Sequence, residues 1–128
     1  MKKPPTIPLF CVVGSRFTEL EAYRQAVSLA DDLRKLILAW DSFDAWSLGI
    51  QLQRAVDSIG ANIAEGYGRH GYPDQRRLLY VARGSAYEVE HWIDRALARH
   101  LLPDGFETRI NEVIRTLNGL IQAHRRNT

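Results

Sequence analysis

Apolar residues return along this chain at three- and four-residue steps, the period at which an α-helix brings side chains to one face. Four such stripes stand out. In the first, Leu20, Tyr23, Val27, Ala30, Leu33 and Ile37 recur between Thr18, placed to act as an N-cap, and Asp41. The second starts near Ser47, carries Leu48, Leu52, Ala55, Ile59 and Ile63 on one side, and is expected to stop among Gly66, Gly68 and Gly71. A third begins around Pro73, a residue suited to a first helical turn because the amide it lacks would have no partner there. It continues through Leu78, Ala82, Ala86, Val89, Ile93 and Ala96. Pro103 and Gly105 break the chain before the fourth, where Phe106, Ile110, Val113, Leu117, Leu120 and Ile121 repeat the pattern up to Arg125 and Arg126. Short links between four one-sided helices predict an all-α fold, an antiparallel up-down-up-down four-helix bundle over residues 19–126.

Residues 1–18 fall outside that pattern. Lys2 and Lys3 lead into Pro4, Pro5 and Pro8, and the apolar run at residues 9–13 is too short for a membrane span or the core of a secretion signal. The expectation is an extended N-terminal arm, read first as an ordinary tail, with a short strand or a segment docked on a neighbouring subunit as the alternatives. Cys11 is the lone cysteine, which excludes an internal disulfide and a thiolate-paired zinc site and fits a reducing, cytoplasmic setting.

A monomeric bundle needs one apolar stripe per helix, with the opposite side charged. The two middle helices depart from this rule. Tyr80, Gly84, Tyr87 and His91 share the side of the third helix away from its stripe, and Gly60, Ala61 and Ala64 read as a smooth outward surface on the second. Aromatic and small surfaces of this kind are expected where subunits meet, so these residues form a candidate oligomer interface. A polar stripe, Gln51, Arg54, Ser58 and Glu65 with Asn62 slightly deeper, borders the apolar face of the second helix. It is assigned to a structural seam, in which Arg54 pairs with Glu88 or Ser58 and Asn62 hydrogen-bond to side chains of the third helix.

Composition adds limits rather than a function. At 45% apolar and 25% charged, the 128 residues have the balance of one ordinary globular domain. A net charge of +2 is weak for a nucleic-acid binder. The charge is uneven, however: between positions 69 and 83, Arg69, Arg76, Arg77 and Arg83 face Asp74 alone, which makes them the candidate phosphate contacts. Residues 66–71 match the dinucleotide pattern G-x-G-x-x-G, yet that fingerprint needs a strand before it, and an amphipathic helix precedes it here. A milder use survives, with the first amides of the third helix and the nearby arginines holding a phosphate. Glu88 and His91 have the ligand spacing of di-iron bundles, but no second copy exists and His91 points away from the expected core. The remaining histidines, His70, His100 and His124, fall at loops and helix ends without metal spacing. No metal and no cofactor are expected, and since no Ser or Cys has a triad motif the chain is read as non-enzymatic.

Residues 51–69, QLQRAVDSIGANIAEGYGR, resemble the signature of the four-helix-bundle proteins first met as products of intervening sequences in bacterial 23S ribosomal RNA genes. Residues 78–96, LLYVARGSAYEVEHWIDRA, resemble that family's third helix, with Ala82, Gly84, Ser85 and Glu88 at the matching places. The resemblance covers residues 19–124. It implies an antiparallel four-helix bundle that assembles as a ring, typically a pentamer, in the cytoplasm. A related branch consists of accessory proteins of diversity-generating retroelements, which form basic pentameric barrels that bind nucleic acid and a reverse transcriptase. The expected function is thus a non-enzymatic homo-oligomeric scaffold contacting RNA or a protein–RNA assembly, with a protein-interaction adaptor as the alternative.

Overall fold

The computed structural model describes residues 16–128, and within them the four stripes become four long helices: α1 (Glu21–Ile37), α2 (Ile50–Tyr67), α3 (Tyr72–Ala98) and α4 (Phe106–Arg126). Residues 1–15, most of the expected arm and including Cys11, lie outside the described residues. The fold is an all-α four-helix bundle. Its neighbours in contact are α1 with α2, α2 with α3, α3 with α4, and α4 with α1. Between α3 and α4, Gln75 meets His124 while Arg83 meets Asn118; between α1 and α2, Tyr23 meets Gly60 while Ile37 meets Gly49. Residue numbers rise on one helix as they fall on the other, the register that antiparallel neighbours make. Among the described residues no helix is long and apolar enough to cross a membrane.

The start of α1 differs from expectation. Thr18 caps nothing: Phe17–Glu19 form a 3-10 turn, and α1 follows extended Leu20 without a side-chain cap. The reason is aromatic packing. The Phe17 ring stands edge-on to Tyr23 at 5.1 Å and to Tyr67 at 6.1 Å, so the end of the expected arm is tied to α1 and α2. The approach to α2 also differs. Asp41 accepts the Asp44 amide at 2.9 Å and so caps a one-turn helix, Ser42–Asp44, which widens into a π-helical turn, Ala45–Gly49, before α2. Gly49 is needed there, because a Cβ would sit 2.8 Å from Cγ2 of Ile37. Trp40 Nε1 donates to the Leu101 carbonyl at 2.9 Å and ties this link to the one between α3 and α4.

The expected stripes of α2 and α3 are buried throughout, as is that of α4 except for half-buried Leu120. On α1 the core face is Ala22, Ala26, Leu29, Ala30, Leu33 and Ile37, with Tyr23 and Val27 only half-buried on its flank. Alanines on α1 and α3 let the backbones close around Leu33, Ile59, Val89 and Leu117, none of which touches solvent. Burying each such side chain contributes about 1.5–3 kcal/mol. Gly105, at φ +114°, supplies the left-handed turn that starts α4.

Candidate functional site

The outward face of α3 is the largest departure from a simple bundle. Leu78, Ala82, Ala86, Val89 and Ile93 fill one side of this helix with core contacts, which turns Tyr80, Gly84, Tyr87 and His91 to the other. All four are exposed. Tyr80 shows 37% of its surface, Tyr87 50% and the adjacent Val81 43%. A Cβ added at Gly84 would meet nothing within 4 Å, so the helix backbone itself lies open between the two tyrosines. Arg83 holds this surface in place: its guanidinium donates to Oδ1 of Asn118 on α4 at 3.0 Å and lies 4.9 Å from the centre of the Tyr80 ring. The His91 ring packs edge-on to Trp92 at 4.7 Å.

The expected small-residue surface on α2 is placed differently. Gly60 is buried, because it faces α1: its missing side chain makes room for the Tyr23 ring and for Val27, 3.4 and 3.5 Å from where a Cβ would stand. Ala61 is exposed and Ala64 half-buried, and both line a groove of about 240 Å³ between α1 and α2. Gly60 is therefore corrected from an outward contact to the floor of a groove within the bundle.

The polar seam forms in part. Ser58 Oγ lies 2.6 Å from Ser85 Oγ, a hydrogen bond between α2 and α3, whereas Asn62 donates back to the Ser58 carbonyl of its own helix at 2.8 Å. Arg54 is exposed and does not pair with Glu88, whose carboxylate accepts from Trp92 Nε1 at 3.3 Å. The expected Arg54–Glu88 bridge is thus absent, since both residues point to solvent.

The arginines meet at one end of the bundle but are largely engaged. Arg69 pairs with Glu65 and, at 3.3 Å, with Asp74; Arg77 takes the other Asp74 oxygen at 2.9 Å. Arg76 donates to Oγ1 of Thr128 at 2.7 Å, and Arg125 and Arg126, in the last turn of α4 a few residues before Thr128, are exposed. Arg83 sits apart, further along α3. Beneath this end runs a buried relay that the sequence did not reveal. Gln75 Nε2 donates to the Arg69 carbonyl at 2.9 Å, and its Oε1 lies 2.9 Å from Nε2 of His124. With the amide oriented this way, His124 Nε2 is the donor to Gln75. Burial, reinforced by Arg76, pushes the His124 pKa below its ordinary value. At the opposite end of the molecule Leu38, Phe43 and Trp46 are exposed to 67%, 78% and 76%, a second apolar patch that periodicity did not single out.

Among the described residues no group of three or more His, Cys, Asp and Glu is placed to hold a metal ion, and Glu88 and His91 are both exposed on α3. Gly66, first glycine of the dinucleotide-like pattern, is buried inside α2. A protein-family model described as 23S rRNA-intervening sequence protein matches residues 18–122. No curated protein matches the chain.

Proposed function

The chain belongs to the 23S rRNA-intervening sequence protein family, and from that premise we propose that it is a non-enzymatic homo-oligomeric scaffold of the cytoplasm, with a five-membered ring as its expected form. The exposed face of α3 carries this reading. Tyr80, Val81 and Tyr87 flank bare backbone at Gly84, and apolar and aromatic area gathered around a site of close approach is what a subunit contact needs. A buried tyrosine covers about 150–250 Å², so half-exposed Tyr87 has roughly 100 Å² left to bury, worth about 2.5 kcal/mol at ~25 cal/mol per Å². Replacing it with serine should weaken assembly roughly 60-fold without unfolding the subunit. Sedimentation velocity over a concentration series measures this. Unchanged association in the joint Tyr80→Ser, Tyr87→Ser variant removes the α3 face from the account.

RNA contact through the basic end is the second part of the reading, supported by Arg76 reaching Thr128 just past the exposed Arg125 and Arg126 of α4's last turn. Each subunit offers only a few free cations because Asp74 and Glu65 engage Arg69 and Arg77, so affinity would come from repetition around the ring. The variant Asp74→Asn should then tighten binding to structured RNA and steepen its salt dependence, and Arg76→Ala with Arg77→Ala should do the reverse. Binding indifferent to all three substitutions discards the RNA reading. The adaptor alternative is favoured by Phe43 and Trp46, whose exposure marks a protein-binding patch remote from the basic end. A partner captured in high salt and lost on Trp46→Ser would favour it.

A further inference from the structure

We propose that the apolar run at residues 9–13 folds back into the groove between α1 and α2 of its own chain. The groove has apolar walls and an open top. Tyr23 and Val27 on α1 and Gly60, Ala61 and Ala64 on α2 line it, and Phe17 closes one end. Periodicity alone places Tyr23 and Val27 in a core, yet both remain half-buried, because Gly60 has no side chain to cover them. An apolar segment laid across them would finish their burial.

Three observations select the occupant. The first is attachment: Phe17 is itself part of the groove, held edge-on by Tyr23 and Tyr67, so the chain upstream of it starts at the groove's mouth. The second is length. From Tyr23 to Asp31 the groove follows about two turns of α1, roughly 12 Å at ~1.5 Å per residue. An extended run from position 13 back to position 9 covers about 13 Å at ~3.3 Å per residue, which leaves Gly14, Ser15 and Arg16 to make the turn. The third is charge. Asp31 and Asp57 stand at the far end of the groove, and residues 1–18 contain Lys2, Lys3 and Arg16 but no carboxylate. A tether of three residues also gives the segment an effective concentration in the millimolar range, so it outcompetes the same segment of another molecule.

Cys11 lies in the middle of the run and serves as a native probe. In the full chain, Ala61→Cys places a second thiol on the groove wall, and Asp94→Cys places one on exposed α3 as a control. With diamide as oxidant, the first variant should form a disulfide within one chain at least about tenfold faster than the control, at a rate independent of protein concentration. Because the bond is intrachain, the result does not depend on whether subunits assemble. Equal rates in the two variants would overturn the proposal, and so would a disulfide between chains, which would give the groove to a neighbour's arm. A second measurement uses no added cysteine. Cys11 should react with an aromatic disulfide reagent about tenfold faster when Ala64→Glu puts a charge on the groove wall, and an unchanged rate would remove the groove as the seat.

Discussion

Replacing Gln75 with leucine should cost this small bundle a large fraction of its stability, although the substitution adds apolar surface to the interior. Gln75 is 6% exposed and His124 is fully buried, and the amide between them satisfies two groups at once. Its Nε2 donates to the Arg69 carbonyl and its Oε1 accepts from His124, each at 2.9 Å. Gln75→Leu removes both hydrogen bonds. A stranded buried polar group costs about 1–3 kcal/mol, and water at the α2–α3 loop will relieve part of the Arg69 penalty, so the expected loss is about 2–4 kcal/mol. Urea unfolding measures it: with a slope of about 1–3 kcal/mol per molar, the midpoint should fall by roughly 1–2 M at unchanged slope. The double variant Gln75→Leu with His124→Phe removes donor and acceptor together. It should therefore be more stable than the sum of the single losses by about 1–2 kcal/mol. Strictly additive losses, or a single-variant loss below about 0.5 kcal/mol, would refute the relay.

Acid should loosen the same place. Burial, with Arg76 adding to it, holds the folded-state pKa of His124 below the ordinary 6.5, so the unfolded chain takes up the proton first as pH falls. Stability then declines below pH ~6.5 by at most about 1.4 kcal/mol per unit and levels off beneath the folded-state pKa; His124→Phe should flatten the urea midpoint across that window. Two glycines should respond in opposite senses to alanine. Gly49→Ala pushes a methyl to 2.8 Å from Ile37 and should destabilise the subunit by about 1–2 kcal/mol, whereas Gly84→Ala, in open space, should raise subunit stability by about 0.5–1 kcal/mol. If α3 is a subunit contact, the Gly84→Ala methyl should also weaken assembly, and calorimetry beside sedimentation separates the two effects.

Helices α2, α3 and α4 were legible because their apolar residues repeat with the helical period and their ends carry Pro103, Gly105 and the glycines after Ile63. Period alone gives the faces of one helix but not the positions of its neighbours. That is why Gly60 looked outward: it lies off the main stripe of α2, on the flank that α1 covers. The same blindness left Tyr23 and Val27 assigned to the core, and it hid the burial of His124, which does lie at its helix end. Thr18 had the right chemistry for a cap, but the aromatic contacts of Phe17 set the backbone there instead. Counting charges along positions 69–83 missed Glu65, which reaches Arg69 from one helical turn earlier, and the way Asp74 is shared by two arginines. The tyrosine face of α3 was readable because exposure there follows directly from the helix's own period.

The mass of the undisturbed protein in solution bears most directly on the account. Light scattering on the eluting peak at micromolar concentration should give a multiple of 14.6 kDa, with five copies as the expected count. A lone 14.6 kDa species, unchanged on concentration, would contradict the reading of Tyr80, Gly84 and Tyr87 as a surface that another copy covers.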